Sequence, residues 1–533
     1  MPTPIKFPEK IIKVVETHIS RIYIGEKFVY KQKKPVDFGF IDYTRKTSRK
    51  FFALKELSLN RRACKGVYKD VLELRRGKGK NGKETLWVSN EKKGGKVVDY
   101  LVRMKRLAPE SFLDRILEAG DSRGEKSRLL SAVAKRIYLF HKSANTSKRI
   151  TGFGSVKVYG ENWNDNFLAL EGLFPESAGE RVLGTLKYIE EFYPAVLKSD
   201  GFNMFARERA AAGLVRDCHG DLRMEQIAVT GKAEYGNVCL TDRIEFNDMF
   251  RFQDIFLDVA FLLMDFEKNG FFYESLQFFS FYEGFFNHVK YIKPFKAFEP
   301  LIMPFFKAYR SVVRTKISLL SGSASGAVNY LNLALFYVNI IKNPPVIVNV
   351  GLSGSGKSSL SELMASYLYA AHLRTDEIRH KILGGTPTDV KYGREANESV
   401  YSAMLEEGGN RFLKGEPVIF DGTFLRKDLL KSFIGSFLEK TGAAGINLIV
   451  VYSKIPPGKE EVIIERLRKR QEGSRLKKGK DIDFSEAGEA VYLKQKREFE
   501  EPDSELYPVI TVDASLELDK RFNSVMEQIL KNR

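Results

Sequence analysis

Cysteine is scarce in this chain of 533 residues, and its scarcity excludes whole classes of protein. The three cysteines, Cys64, Cys218 and Cys239, are too few and too scattered for a disulfide framework or a tetrahedral zinc site. Such sparing use of cysteine is typical of proteins from a reducing compartment. We therefore expect a cytosolic protein without a disulfide framework.

Long apolar runs are also lacking. The longest candidate, residues 327–341, is interrupted by Asn329, Asn332 and Asn339, whereas a membrane-spanning helix needs about 20 predominantly apolar residues. The first eight residues contain three prolines where a signal peptide would need an apolar helix. The sequence therefore predicts neither a membrane span nor a secretory signal.

Acidic residues are outnumbered, and the net charge is +18. This excess suits a nucleic-acid partner, but it suits phosphate-rich substrates equally well. Basic residues concentrate at 75–83 and at 466–480, and we interpret the first cluster as the solvated tip of a hairpin. Charge alone therefore does not separate these two classes of function.

The length and the pattern of apolar residues indicate more than one domain, because a chain of 533 residues exceeds a single core. Strand-like runs fill residues 21–104 around one helical stretch near 49–64, and mostly helical runs follow as far as 341. This order predicts an α+β domain at residues 1–342. Asn343-Pro344-Pro345 ends its last helix.

Beyond the prolines, strand-like runs near residues 346, 372, 417 and 447 alternate with helical patterns. Such alternation predicts an α/β domain, residues 343–533, with a parallel sheet that is covered on both faces.

A complete phosphate-loop motif follows the first of these strands. Residues 351–358 read Gly-Leu-Ser-Gly-Ser-Gly-Lys-Ser, between an apolar run and a helical pattern. In that context the main-chain N–H groups converge on a phosphate, Lys357 reaches the β and γ phosphates, and the Ser358 hydroxyl holds Mg2+. The predicted ATP-binding residues are Gly351, Ser353, Gly354, Ser355, Gly356, Lys357, Ser358 and Ser359.

Acidic and basic residues at the ends of the next strands predict the chemistry. Asp376 and Arg379 lie three apart where a strand passes into a helix, so Asp376 would accept or orient the proton of an acceptor hydroxyl. Arg379 would neutralise the transferring phosphoryl group. Asp421 ends an apolar strand and would bind magnesium through water. Arg466 and Arg470, one turn apart in the second basic cluster, predict a lid that closes on ATP.

These motifs together resemble the small phosphate-loop kinases grouped with gluconate kinase, adenylylsulfate kinase and the kinase half of polynucleotide kinase. The resemblance covers roughly residues 345–520 and is specific to the superfamily, not to an acceptor. It implies MgATP as phosphoryl donor.

The first half carries a second resemblance. The segments Cys218-His-Gly-Asp-Leu-Arg-Met-Glu-Gln226 and Leu240-Thr-Asp242-Arg-Ile-Glu-Phe resemble the catalytic segment of the aminoglycoside phosphotransferases, which share the two-lobed protein-kinase fold. The resemblance covers about residues 21–341. It implies that Lys31 contacts the α and β phosphates and pairs with Glu56, with Lys33 or Lys34 as alternatives to Lys31.

The same resemblance implies that Asp221 orients the acceptor hydroxyl and that Asp242 and Gln226 hold magnesium. The sequence departs from the family pattern at three points: Gln226 stands where an Asn is usual, Arg223 stands where a His is frequent, and no glycine-rich loop precedes Lys31. The first half is therefore expected to have a kinase fold with or without catalysis.

We accordingly expect a cytosolic fusion of two kinase-like domains that moves the γ-phosphoryl group of MgATP to a hydroxyl of a small molecule. Three alternatives stay open. One is a nucleic-acid end kinase that uses the basic clusters, and another is a non-catalytic, ATP-gated regulator. A toxin-like kinase that phosphorylates a sugar nucleotide is the third. The motifs do not identify the acceptor.

Overall fold

The structure is a computed structural model, which describes residues 4–39, 41–78, 83–89, 94–120, 122–174, 179–286, 299–384, 393–442, 445–476 and 488–531. The chain divides into two units, each packed mainly within itself. Unit 1 comprises the described residues within Met1–Asp165, Val196–Phe266 and Gln277–Lys296, and unit 2 those within Asn166–Ala195, Glu267–Leu276 and Ala297–Arg533. The predicted division into domains 1–342 and 343–533 stays a prediction.

A seven-stranded sheet opens unit 1. Its strands are β1 (Ile5–Lys6), β2 (Ile11–Glu16), β3 (Ser20–Gly25), β4 (Phe28–Lys33), β5 (Tyr68–Lys78), β6 (Glu84–Ser89) and β7 (Lys96–Lys105). They lie in the order β1-β6-β5-β7-β4-β3-β2, and every pair except β1 with β6 is antiparallel. The predicted strands are confirmed, while β1 and β2 were not predicted.

Helix α1 (Lys46–Ala63) is the predicted helix of this sheet, and it packs Ala53 and Leu57 against Val102 of β7. Directly after it, Cys64 forms a disulfide with Cys239, from which it is 175 residues distant in sequence. The sequence analysis, which excluded a disulfide framework, did not predict this single disulfide. Cys218 is free and buried.

Helices dominate the chain between Leu113 and Lys342, as predicted. They are α2 (Leu113–Glu118), α3 (Arg123–Lys142), α4 (Lys148–Thr151), α5 (Val156–Leu173), α6 (Glu180–Lys198), α7 (Asp200–Ala211), α8 (Ile255–Lys268), α9 (Phe272–Phe286), α10 (Glu299–Leu320) and α11 (Ala324–Lys342). Two antiparallel pairs of short strands interrupt them: β8 (Val215–Asp217) with β11 (Phe252–Asp254), and β9 (Ile227–Val229) with β10 (Val238–Leu240).

Helix α11 is long and apolar enough to cross a membrane by length and composition, and half of its most apolar window is buried inside the structure. The core helix of a globular protein meets the same test. Asn339 on this helix accepts a hydrogen bond from the Tyr188 hydroxyl at 3.2 Å, so at least one of its polar side chains has a partner inside unit 2.

A five-stranded parallel sheet organises the last part of unit 2. Its strands are β12 (Val346–Val350), β13 (Ala371–Arg374), β14 (Val418–Asp421), β15 (Leu448–Lys454) and β16 (Val509–Asp513), in the order β13-β14-β12-β15-β16. All four pairings are parallel. Four of the strands were predicted and β16 was not. The helices are α12 (Lys357–Leu368), α13 (Thr375–Leu383), α14 (Arg394–Phe412), α15 (Lys427–Thr441), α16 (Glu460–Leu476), α17 (Glu489–Glu498) and α18 (Leu518–Lys531).

The central strand β12 is buried along its whole length, because it pairs with β14 on one side and β15 on the other. The phosphate loop follows its carboxyl end, and α12 begins at Lys357. In open α/β sheets, ligands bind at this edge. The predicted fold class, an α+β kinase-like part followed by an α/β phosphate-loop part, is confirmed.

Candidate functional site

The phosphate loop needs its glycines for conformation and for space. Gly354 and Gly356 have φ angles of +80° and +75°, in the left-handed region that side chains disfavour. A Cβ atom on Gly354 would stand 2.8 Å from Cγ of Leu467 on α16. Ser353 donates its N–H to Gln495 of α17 at 3.0 Å, whereas Ser359 is exposed.

Ser358 and Asp421 come together below the loop. Asp421 ends β14 with only 2% of its surface exposed. Burial raises its pKa, but hydrogen bonds from His372 and Ser358 and the charge of Lys357 outweigh burial, so the net pKa is below the ordinary value. Its Oδ1 atom is buried and has no hydrogen-bond partner among the described residues. A buried carboxylate oxygen beside a serine hydroxyl is a donor set that fits a magnesium ion.

Asn349 supports the loop from within the central strand. Its amide donates hydrogen bonds to the main-chain oxygen of Lys357 at 2.9 Å and to the Ser361 hydroxyl at 2.7 Å. The sequence analysis missed this residue, although an amide inside the otherwise apolar run 346–350 is a visible signal. The sequence analysis also missed His372, which contacts Asp421 at 3.3 Å.

Asp376 and Arg379 begin helix α13, directly after β13. Their charges and that of Asp421 act on one hydroxyl, that of Tyr401. The pKa of Tyr401 is raised to about 12, chiefly by burial and also by the charges of Asp376 and Asp421, while a hydrogen bond with the Phe424 main chain and the charge of Arg379 lower it. The structure therefore places the two predicted catalytic residues and the predicted magnesium ligand within electrostatic range of the same tyrosine hydroxyl.

Arg466 does not extend over the loop in this structure. Its guanidinium donates hydrogen bonds to the main-chain oxygens of Ala514, Ser515 and Leu516, at 2.6, 3.4 and 3.4 Å. It thus braces the turn after β16. Arg470 lies on α16, and its side chain falls outside the described residues. The role of both residues in a lid stays a prediction.

In unit 1, Lys31 links Glu56, the partner that the resemblance assigned to it, with Asp242, the predicted magnesium ligand. Its Nζ atom lies 3.1 Å from Glu56 Oε1 and 2.6 Å from Asp242 Oδ1. Lys33 also contacts Glu56, at 2.7 Å, and it forms a second ion pair with Glu245. Lys34 contacts Glu16 at 3.4 Å. Lys31 and Lys33 both make the pairing with Glu56 that the resemblance implies, and which of the three lysines contacts phosphate stays a prediction.

Asp221 is held in a bidentate ion pair that the sequence analysis did not predict. Nε and Nη2 of Arg223 each lie 2.9 Å from one of its two carboxylate oxygens. Burial opposes the charge of Arg223, but Asp221 raises the pKa of Arg223 well above its ordinary value. The predicted catalytic carboxylate is therefore neutralised by a residue two positions further along the chain.

Asp242 has a φ angle of +59°, an unusual conformation for a residue with a side chain, which is often found at functional sites. Its N–H donates to the Tyr68 hydroxyl at 3.0 Å. The Gln226 amide oxygen lies 3.5 Å from the hydroxyl of Thr241, the residue before Asp242. The structure thus places the two predicted magnesium ligands of unit 1 near each other in the fold.

Asp258 fixes the backbone of the His-Gly-Asp motif. It accepts the N–H groups of His219 and Gly220, both at 2.9 Å, and it contacts Nε2 of His141 at 3.0 Å. Asp258, His141 and Cys218 lie close enough to hold a metal ion. Because these hydrogen bonds already occupy the Asp258 oxygens and the ring nitrogen, the trio is better explained as a support of the motif.

Comparison with known proteins gives one family match and several relatives. Residues 346–502 match the family model described as an AAA domain. Proteins of Mycobacterium tuberculosis and Mycobacterium bovis, described as uncharacterized, are 25% identical over 431 residues, which is 78% of this chain and 79% of theirs. The family match agrees with the phosphate-loop fold of the last part of the chain.

Among solved structures, a gluconokinase from Sinorhizobium meliloti matches at 23% identity, over 36% of this chain and 93% of its own, with a TM-score of 0.25. Wild-type aminoglycoside 2'-phosphotransferase-IIIa matches at 13% identity, over 62% and 94%, with a TM-score of 0.34. A choline/ethanolamine kinase family protein from Mesorhizobium loti matches at 12% identity, over 62% of this chain and 93% of its own, with a TM-score of 0.32. The fold assignment itself depends on the strand order given above.

Proposed function

We propose that the protein is a kinase whose phosphate loop in unit 2 binds MgATP and transfers the γ-phosphoryl group to a hydroxyl of a small molecule. The observation that carries this proposal is the buried carboxylate of Asp421, whose Oδ1 atom has no hydrogen-bond partner among the described residues and whose pKa Lys357 and Ser358 both lower. A serine and a carboxylate at the carboxyl ends of β12 and β14 are the protein ligands that a Mg2+–phosphate complex needs.

Other residues of the site would bind the phosphates, offset charge and accept the proton of the acceptor hydroxyl. Lys357 would bind the β and γ phosphates, and Arg379 would offset the negative charge that the moving phosphoryl group carries. Asp376, at the start of α13, would accept or orient the proton of the acceptor hydroxyl. The Tyr401 hydroxyl lies within the electrostatic reach of both charged side chains.

For unit 1 a second candidate function, nucleotide binding without transfer, is favoured by a specific contact. Arg223 takes both oxygens of Asp221, so an acceptor hydroxyl would compete with a bidentate ion pair for the carboxylate. Lys31, Glu56 and Asp242 would still hold the phosphates and a magnesium ion. Unit 1 would then bind MgATP as a regulatory site.

Transfer of label from γ-labelled ATP into a metabolite extract tests the proposal in the full chain. Lys357→Ala should abolish transfer. Asp376→Asn should reduce the transfer rate by about 10²- to 10⁴-fold, the usual contribution of a positioned acid or base, with ATP still bound.

Asp428→Asn is the matched control, because Asp428 also lies in the first turn of a helix but is exposed. It should leave transfer unchanged. Asp221→Ala reports on unit 1 and should have little effect if unit 1 is regulatory. Undiminished transfer in the Lys357→Ala, Asp221→Ala double variant would disprove the kinase proposal.

A further inference from the structure

Arg521 is a buried arginine beside the phosphate loop that no motif indicates. It lies in the first turn of α18, directly after the turn that follows β16, and only 2% of its surface is exposed. Its guanidinium touches the loop itself: a Cβ atom built on Gly356 would stand 2.5 Å from Arg521 Nη1. The side chain therefore lies against the backbone from which the loop would bind phosphate.

Most hydrogen-bond donors of this guanidinium have no partner in the described part of the chain. A guanidinium carries five N–H donors, yet in the described part of the chain the side chain makes one hydrogen bond, from Nη2 to the Ser453 hydroxyl at 3.3 Å. Its Nε atom is buried without a partner there. No described carboxylate lies within ion-pair distance of it. A buried, uncompensated charge is costly unless an anion offsets it.

The guanidinium stays cationic although its surroundings lower its pKa, and among the described residues it has no carboxylate within ion-pair distance. Burial, and then the charge of Arg466, lower the pKa of Arg521 to about 10, and Asp513 opposes this change. The guanidinium therefore remains protonated at neutral pH. Asp513 Oδ1 accepts hydrogen bonds from the N–H and hydroxyl of Ser515, at 2.8 and 2.7 Å, and thereby stabilises the turn that follows β16.

We infer that Arg521 is a phosphate-binding residue of the nucleotide site in unit 2, which supplies from the last helix a cation that the loop motif does not contain. The inference rests on the proposed function, because the anion is the phosphate tail of the nucleotide. A guanidinium suits this role because its planar donors match two phosphate oxygens. Binding of the nucleotide would satisfy the donors that lack partners in the free protein.

Calorimetry on the full chain tests the inference with ATP plus Mg2+ and with adenosine as titrants. Binding at the unit 2 site is defined as the ATP binding that Lys357→Ala removes. Arg521→Met keeps the length of the side chain and removes its charge, so ATP affinity at this site should fall about tenfold to a hundredfold, the range for hydrogen bonds to charged groups. Affinity for adenosine, which has no phosphate, should not change.

Lys520→Ala is the matched control, since it removes one positive charge from the exposed face of the same turn, and it should bind ATP like the wild type. Arg521→Lys restores the charge without the fork and should recover part of the lost affinity. The thermal midpoint of the nucleotide-free Arg521→Met variant should equal or exceed that of the wild type, because an unpaired buried charge is removed.

The outcomes separate the two proposals. Wild-type protein without any ATP binding that Lys357→Ala removes would contradict the proposed function. ATP binding by Arg521→Met as tight as by Lys520→Ala would overturn the role of Arg521. Equal losses for ATP and adenosine, together with a lower thermal midpoint, would assign Arg521 a structural role and would overturn the inference as well. Should Arg521→Met fail to fold, Arg521→Lys decides: normal ATP affinity overturns the inference, and weakened ATP with normal adenosine affinity supports it.

Discussion

Glu56 is the residue on which the charge network of unit 1 depends. It is completely buried, and its two carboxylate oxygens contact Lys31 and Lys33 at 3.1 and 2.7 Å. Burial opposes its charge, but the two lysines lower the pKa of Glu56 to about 2. Removal of one member of such a buried pair leaves an uncompensated charge, which is more costly than the pair is stabilising.

Glu56→Gln should therefore lower the free energy of unfolding by about 3–5 kcal/mol at pH 7, the usual cost of breaking a buried ion pair. Urea unfolding of the full chain measures this value. Glu16→Gln is the control, because Glu16 forms an exposed ion pair with Arg21 and should cost no more than about 1 kcal/mol. Equal losses in the two variants would contradict the assignment of Glu56 as the centre of the network.

The lowered pKa of Glu56 predicts that the stability of the folded protein depends on pH. A carboxyl whose pKa is lowered on folding stabilises the folded state above its ordinary pKa, 4.5 for Glu56, and the contribution is lost as the pH falls through the folded pKa of about 2. The stability difference between wild type and Glu56→Gln should thus be constant above about pH 5 and shrink in stronger acid. Unfolding midpoints in urea at a series of pH values measure it, and a difference that does not depend on pH would contradict it.

At the scale of the element, two helices of unit 2 carry glycines whose surroundings differ. Gly408 on α14 faces the ring of Phe420, and an added Cβ would stand 2.3 Å from that ring. Gly435 on α15 has no atom within 4 Å of an added Cβ. Packing requires glycine at the first position, whereas only helix propensity matters at the second.

Gly408→Ala should consequently destabilise the protein by about 1–3 kcal/mol through overpacking against β14. Gly435→Ala should stabilise it by about 1 kcal/mol, because alanine is the better helix former. Thermal unfolding of the two variants beside the wild type measures both effects. Changes of the same sign would show that propensity alone governs both helices.

The disulfide joins two elements that carry the site of unit 1. Cys64 follows α1, the helix of Glu56, and Cys239 belongs to β10, three residues before Asp242. A covalent link of this kind stabilises mainly by restricting the unfolded chain. It also ties the helix of Glu56 to the strand that leads to Asp242.

Titration of thiols in the denatured chain should accordingly find one thiol without reductant and three with it. Reduction should lower the free energy of unfolding by about 2–5 kcal/mol, and a Cys64→Ser variant should resemble the reduced wild type. In a Cys218→Ser variant the disulfide, and its response to reductant, should persist. Three free thiols in protein purified without reductant would contradict the link.

At the scale of the whole molecule, the phosphate-loop region shares a buried polar cluster with earlier helices of unit 2. Glu267 Oε2 accepts hydrogen bonds from Tyr337 at 2.5 Å and from Tyr367 of α12 at 2.6 Å, and Lys307 lies 3.0 Å from it. On α18, Asn523 accepts the N–H of residue 273 at 2.7 Å. Helices that follow the phosphate loop and the last strand are thus anchored by residues outside 343–533.

A fragment of residues 343–533 should therefore be less stable than the same region in the full chain. It loses Glu267 as the partner of the Tyr367 hydroxyl, and the exposed face should bind a hydrophobic dye. Residues 267–533, which restore Glu267 together with its partners Lys307 and Tyr337, should unfold at a higher temperature than the shorter fragment. Identical thermal midpoints for the two fragments would contradict the prediction.

Much of the fold could be predicted because its signals are local. The strand–loop–helix order around Gly351–Ser358 and the strand that ends at Asp421 are contained in short runs of sequence. Strand β16 was missed, since its five residues lack a distinct flanking signal. Arg521 could not be found from the sequence, because only the return of the chain to the loop brings α18 beside Gly356.

The sequence by itself determined the elements and the chemistry at their ends, since periodicity and a motif act within a few residues. Tertiary structure alone decided which distant groups meet: Cys64 with Cys239, Lys31 rather than Lys34 with Glu56, and Glu267 with Tyr367. Such pairings depend on how sheets and helices pack. Burial then sets the protonation and the partner of each group, because water no longer competes for it.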